Sequence, residues 1–196
     1  MMKHLLGIAE FSQGQLETLL ARAQDYCGKE APLEDGNGSL VGRVIVNLFL
    51  EPSTRTRLSF EKAAKSLGAK VLNITGEESS IGKGETLSDM LRTVEAMGPD
   101  AIVLRHGASG AAHFAAGRVK CSMINAGDGT HEHPTQALLD LLTVQQAKGK
   151  IEGLKLVILG DIFHSRVARS AVLAFSKLGA QVVVAGPKTF IPKGIE

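Results

Sequence analysis

The sequence predicts an α/β protein: a parallel-sheet domain with helices on both faces, followed by the start of a second α/β domain. Three observations carry this. Short apolar runs recur at residues 44–50, 69–74, 101–104, 119–124, 156–159 and 182–184. Segments with helical spacing or small-residue composition stand between them, the pattern of a parallel sheet with crossover helices. Most of the strand-to-helix turns are polar and rich in Gly, Ser, Thr and Arg.

The elements follow in order. Ser12 and Gln15 have capping-box spacing, and Leu16, Leu19, Leu20 and Ala23 then share one helical face. A Gly- and charge-rich loop over residues 28–42 leads into the apolar run 44–50, read as a buried strand. Residues 58–67 read as a helix closed by Gly68. The strand 69–74 leads to a polar, Gly-punctuated loop over residues 75–85. Thr86 caps the next helix, with Leu87, Met90, Leu91, Val94 and Met97 on its buried side and Gly98-Pro99 as its stop. The strand 101–104 ends at Arg105-His106, and residues 108–117 form a small-residue helix. After the strand 119–124 comes a Gly-rich loop, residues 125–133. Pro134 opens a helix reaching about residue 147. Residues 149–153 read as a domain joint. A strand at 156–159, a helix at 166–178 and a strand at 182–184 complete the chain.

Composition narrows the function classes. The 196 residues suit one large domain or one and a part. Aromatics are 4% of residues, with no Trp, so the core must come from Leu, Val, Ile and Ala. A net charge of +2 gives no field that would argue for nucleic acid. Cys27 and Cys121 form no CxxC pair, and a reduced, cytoplasmic protein is the expectation. No apolar run reaches membrane-spanning length, and residues 1–10 lack the apolar core of a signal peptide.

The chemistry concentrates at Glu51-Pro52-Ser53-Thr54-Arg55-Thr56-Arg57. A strand, a polar turn and a helix start aim backbone N–H groups at one spot, and the helix dipole favours an anion there. Three hydroxyls and two guanidiniums add donors, and Arg binds phosphate or carboxylate in bidentate fashion. In a parallel sheet the loops at Ser53, Ser80, Arg105, His133 and Arg166 all leave the carboxyl ends of strands, so they can share one pocket. With Arg57 and Lys83 the set suits a substrate bearing phosphate and carboxylates. No nucleophile–base pair or metal cage accompanies it. Positioning and stabilisation of developing negative charge are the mechanism this suggests. Three other patterns fall short of a known motif. Gly76 to Gly84 has the wrong spacing for a P-loop, and Gly84 stands where a magnesium-binding hydroxyl belongs. His131-Glu132-His133 lacks the second His of a zinc motif. Gly160 alone does not make a dinucleotide fingerprint.

Phe49 to Glu61 resembles the carbamoyl-phosphate signature of the aspartate/ornithine carbamoyltransferase family. Lys83-Gly84-Glu85-Thr86, Asn125-Ala126-Gly127-Asp128-Gly129 and His133-Pro134-Thr135-Gln136 resemble its aspartate branch. The resemblance implies a carbamoyl-phosphate-binding domain at 1–148 and part of an aspartate-binding domain at 149–196. It implies carbamoyl transfer from carbamoyl phosphate to L-aspartate, in pyrimidine synthesis and without a cofactor. Ser53, Thr54, Arg55 and Thr56 would hold the phosphate. Thr56, Arg105 and His133 would contact the carbonyl oxygen and Gln136 the carbamoyl amide. Arg166 would grip an aspartate carboxylate and pair with Glu51 on closure. Ser80 and Lys83 would reach into a neighbouring subunit of a homotrimer with shared active sites. A regulatory chain or a dihydroorotase partner is compatible with it; nucleic acid and membrane are not expected. Arg105-His106-Gly107 departs from a frequent Arg-His-Pro. Family chains are about half as long again, so the 196 residues are expected to bind carbamoyl phosphate weakly and turn over poorly. Another amine acceptor, or an inactive binding and assembly piece, are the alternatives.

Overall fold

A computed structural model describes residues 3–27, 38–76 and 85–195. The chain divides into two compact units, one of Met1–Leu6 with Gly28–Asp128 and one of Gly7–Cys27 with Gly129–Glu196. Each is a packed body of its own.

The first unit holds β1 (Val44–Phe49), α2 (Thr54–Ser66), β2 (Lys70–Thr75), α3 (Leu87–Ala96), β3 (Ala101–His106), α4 (Ala111–Ala116) and β4 (Ser122–Asp128). The strands form one parallel sheet in the order β2-β1-β3-β4. Alternation along β1 sends its side chains to two cores. Val46 and Leu48 join Ile102 and Leu104 against Met90, Leu91 and Val94 of α3 and the alanines of α4. Ile45 and Phe49 join Val103 on the opposite face, against Ala64 and Phe60 of α2. Helices therefore cover both faces, as the run-and-helix alternation predicts. Each fully buried aliphatic side chain contributes about 1.5–3 kcal/mol of burial free energy.

The second unit holds α1 (Gln13–Tyr26), α5 (Pro134–Lys148), β5 (Lys155–Leu159), α6 (Arg166–Lys177) and β6 (Gln181–Ala185), closed by a 3-10 turn at Lys188–Phe190. Helix α5 packs against α1 and α6, and β5 pairs with β6 in parallel. The Ser12–Gln15 capping box is present, with both reciprocal bonds made. One face of β5, bearing Lys155, Val157 and Leu159, is exposed. Among the described residues no helix is long and apolar enough to cross a membrane.

Several boundaries differ from the sequence reading. Helix α2 starts at Thr54, four residues before the apolar run, because its first turn faces outward and carries no apolar signal. Strand β3 continues through Arg105 and His106. Helix α4 is shorter than its small-residue stretch, starting after a left-handed Gly110. Residues 125–128, read as loop, belong to β4. They are held there by long-range bonds: Asn125 N–H donates to Leu5 O at 2.8 Å, and a register shift between Leu104 and His106 lets Asp128 pair with His106. Leu19 and Met97, assigned to buried faces, are exposed.

Candidate active site

In the sheet order β2-β1-β3-β4 the chain leaves β1 toward β2 on one side and places β3 on the other. The carboxyl ends of β1 and β3 thus flank a topological switch point, the crevice where open α/β sheets bind ligands. Three of the predicted cations stand there: Arg55 and Arg57 in the first turns of α2 and Arg105 near the end of β3.

Ser53 follows β1 as the N-cap of α2, in an extended conformation, yet its hydroxyl makes no capping bond. Thr54, Arg55 and Thr56 fill the first turn, so their N–H groups belong to the set that lacks intrahelical partners. That turn holds no acidic residue. Cations at a helix N-terminus are unfavourable by about 0.3–1 kcal/mol each, an arrangement that makes sense where an anion is to be bound. Arg57 faces Glu61 across one turn at 3.6 Å. Exposed Arg55 makes no ion pair among the described residues.

Arg105 sits opposite Phe49 in the register of β1 and β3. Its guanidinium donates through Nη2 to Glu51 Oε1 at 2.6 Å and through Nη1 to Ala126 O at 3.1 Å. Its side chain is 12% exposed. Two fixed bonds lock the guanidinium plane. Beside it, His106 Nδ1 accepts from Ala108 N–H at 2.8 Å, and burial holds the imidazole below the ordinary histidine value despite the pull of Asp128 and Glu51. Asp128 is buried, accepting from Gly110 N–H and Asn125 Nδ2 at 2.8 and 2.9 Å. Asn125 also donates to Leu6 O and accepts from Gly127 N–H. The Asn125–Asp128 motif here braces the ends of β4 and the amino-terminal segment.

In the second unit, His133 is the N-cap of α5, followed by Pro134 at the first helical position. It is 5% exposed, and its Nδ1 lies 3.4 Å from Thr135 Oγ1. Its N–H donates to Ser170 Oγ at 2.9 Å. Gln136 Nε2 donates to Asp140 Oδ1 at 2.9 Å. Burial raises the Asp140 carboxyl above its ordinary range, with the Gln136 bond opposing. Arg166 opens α6, whose start is capped by Ser165.

The first unit therefore assembles Ser53, Thr54, Arg55, Thr56 and Arg105 at one sheet edge, and the second carries His133, Gln136 and Arg166. Ser80 and Lys83 lie outside the described residues. Glu132 and Ser170, which the sequence does not mark, lie next to His133. Glu132 stands only in a His-Glu-His pattern that lacks zinc spacing, and Ser170 carries no local signal at all.

A parallel α/β sheet whose switch point presents an Arg-bearing helix start without an acidic residue in its first turn is an arrangement suited to an anion. The family model for the aspartate/ornithine carbamoyltransferase carbamoyl-P binding domain matches residues 3–146, and the chain belongs to that family. The aspartate carbamoyltransferase catalytic subunit of Beijerinckia indica is 55% identical over 99% of this chain and 61% of its own length. That of Myxococcus xanthus is 54% identical over all of this chain and 65% of its own. The chain thus spans about three fifths of the length of the curated relatives it matches. Among solved structures, Trypanosoma cruzi aspartate transcarbamoylase in complex with N-(phosphonacetyl)-L-aspartic acid aligns with a TM-score of 0.89 at 32% identity, over 97% of this chain and 62% of the other. Ornithine carbamoyltransferase from Pyrococcus furiosus aligns at 0.83 and 33%, over 97% and 59%.

Proposed function

We propose that this chain belongs to an aspartate carbamoyltransferase and carries its carbamoyl-phosphate-binding half. The observation that carries the reading is the start of α2. Ser53 is spared from capping, and Arg55 and two Thr residues crowd a first turn without an acid, at the switch point that also holds Arg105. The relatives named as aspartate carbamoyltransferases support the acceptor.

In this reading Ser53, Thr54, Arg55 and Thr56 take the phosphate oxygens. The amino nitrogen of L-aspartate attacks the carbonyl carbon of carbamoyl phosphate and a C–N bond forms. Thr56, Arg105 and His133 stabilise the oxyanion of the tetrahedral intermediate, and Gln136 holds the carbamoyl amide. The C–O bond then breaks, phosphate leaves with the electron pair, and the amine sheds a proton to give N-carbamoyl-L-aspartate. Arg166 grips an aspartate carboxylate. No metal or organic cofactor takes part. Ser80 and Lys83 come from the neighbouring subunit of a cytoplasmic homotrimer, to which a regulatory chain or a dihydroorotase could attach. Residues 1–148 form the carbamoyl-phosphate domain and 149–196 part of the aspartate domain; the family match at 3–146 supports that division, whereas the compact units group residues 7–27 and 129–148 with 149–196.

The test is titration calorimetry with inorganic phosphate and with carbamoyl phosphate, followed by a carbamoylaspartate assay. Arg55→Ala should weaken phosphate binding about 10-fold or more. Failure of the wild-type chain to bind either anion would sink the proposal. Binding with transfer to ornithine alone would move it to the other acceptor.

A further inference from the structure

We infer that Glu132 is a positioning residue for His133, acting through Ser170 and tied to the amino-terminal segment at Gly7-Ile8. The inference rests on the role just proposed for His133, but its geometry stands independently.

Glu132 is 3% exposed and Ser170 is fully buried. Glu132 Oε2 accepts two bonds, from Ile8 N–H at 2.7 Å and from Ser170 Oγ at 3.0 Å. Ser170 Oγ in turn accepts the His133 N–H at 2.9 Å. The direction of this relay follows from the donor inventory. The His133 N–H can only donate to the Ser170 oxygen, so the single Ser170 hydroxyl proton is directed to Glu132. The hydroxyl oxygen is thereby left as an acceptor for His133.

His133 needs such an external hold. It precedes Pro134, which disfavours the helical region, and its backbone stands at φ −139° and ψ 74°, outside the helical region and short of the regular extended one. As an N-cap residue its own N–H has no intrahelical acceptor. Ser170 on α6 supplies that acceptor and so sets the rotation of the His133 backbone. The imidazole direction follows from the backbone it hangs on.

Gly7 shows how closely the carboxylate is seated. A Cβ at that position would lie 2.5 Å from Glu132 Oε1 and 3.0 Å from its Cδ. Only glycine lets the carboxylate occupy this place. A buried carboxylate is costly to keep and is retained where its bonds are satisfied. Here the charge-assisted bonds join three chain segments that meet at the residue before the helix. The cluster does more than fill space: Ser170 holds the His133 N–H, Glu132 holds Ser170, and Ile8 N–H holds Glu132.

The test uses the full chain, as the oligomer it forms, with two readouts: the ring and backbone amide resonances of His133 by NMR, and kcat set against KM for carbamoyl phosphate. Ser170→Ala and Gly7→Ala should both shift the His133 ring resonances and speed exchange of its amide. They should lower kcat by about 10- to 100-fold with a much smaller change in KM, as for a misplaced catalytic group. Glu132→Gln keeps an acceptor oxygen for Ser170 and Ile8 and should restore most of the wild-type ring resonances and rate, whereas Glu132→Ala should not. Lower melting temperatures with unmoved His133 resonances in Ser170→Ala and Gly7→Ala would reduce the cluster to packing and overturn the inference. Absence of carbamoyl transfer by the wild-type protein would count against the proposed function alone, since the resonances still decide the positioning.

Discussion

Arg105 and Glu51 are joined by a 2.6 Å bond at the carboxyl ends of neighbouring strands, with the other Nη of Arg105 on the Ala126 carbonyl. The carboxylate orients the guanidinium but also offsets its charge. Glu51→Gln keeps the acceptor and removes that charge. It should tighten inorganic phosphate binding by roughly two- to tenfold at low salt, the size expected of a partly exposed pair. The gain should shrink at 0.5 M salt, where the Debye length is only about 4 Å. Calorimetry at both ionic strengths checks it; unchanged affinity would mean Arg105 does not meet the anion.

Burial keeps His106 below the ordinary value of 6.5, and its Nδ1 must stay unprotonated to accept from Ala108 N–H. Between the folded value and 6.5 the unfolded chain binds more protons, so stability rises with pH there. The contribution is complete above 6.5 and is lost as pH falls through the folded value. Asn can supply the same acceptor to the N–H two residues on. His106→Asn should therefore flatten the melting-temperature profile between about pH 5 and 7. An unaltered slope would exclude His106 as its source.

Asp140 has the opposite sign. Burial raises its carboxyl in the folded state, so the folded protein holds the proton more tightly. Its contribution is complete below the unfolded value of about 3.9 and is lost as pH rises through the folded one. Asp140→Asn retains the acceptor for Gln136 Nε2 without the charge. Its melting temperature should exceed wild type at pH 7 and match it near pH 3. Equal stability at both pH values would refute the assignment.

Asn47 is fully buried in the middle of β1, and its Nδ2 donates to Asn73 Oδ1 at 2.9 Å. Asn73 donates onward to Glu61, which also takes Lys65. Asn47→Ala leaves a partly buried acceptor without its donor and should cost about 1–3 kcal/mol. Asn47→Ala with Asn73→Ala should cost less than the sum of the singles. Denaturant unfolding of the four proteins measures the coupling, and strict additivity would mean the bond contributes nothing.

These residues mark what could be read from spacing. The strands and helices were legible because period-2 and period-3.6 burial leaves a local imprint, as in Val46 and Leu48 against Met90 and Val94. The grouping of donors from Ser53 to Arg57 was legible for a similar reason: they are neighbours in the chain, and the helix start that gathers them is observed. Helix α2 nonetheless begins earlier than its apolar residues announce, since an exposed first turn has no periodic signature.

The amino-acid sequence by itself determined the parallel α/β architecture, both halves of the cation set and the caps at Ser12 and Thr86. Tertiary structure alone decided that residues 125–128 extend a strand, that buried Asn47 finds a partner in the neighbouring strand, and that Glu132 serves Ser170 and Ile8. The last of these bonds spans 124 positions. Contacts at that separation depend on which surfaces the packed elements bring together, and no spacing rule along the chain encodes them.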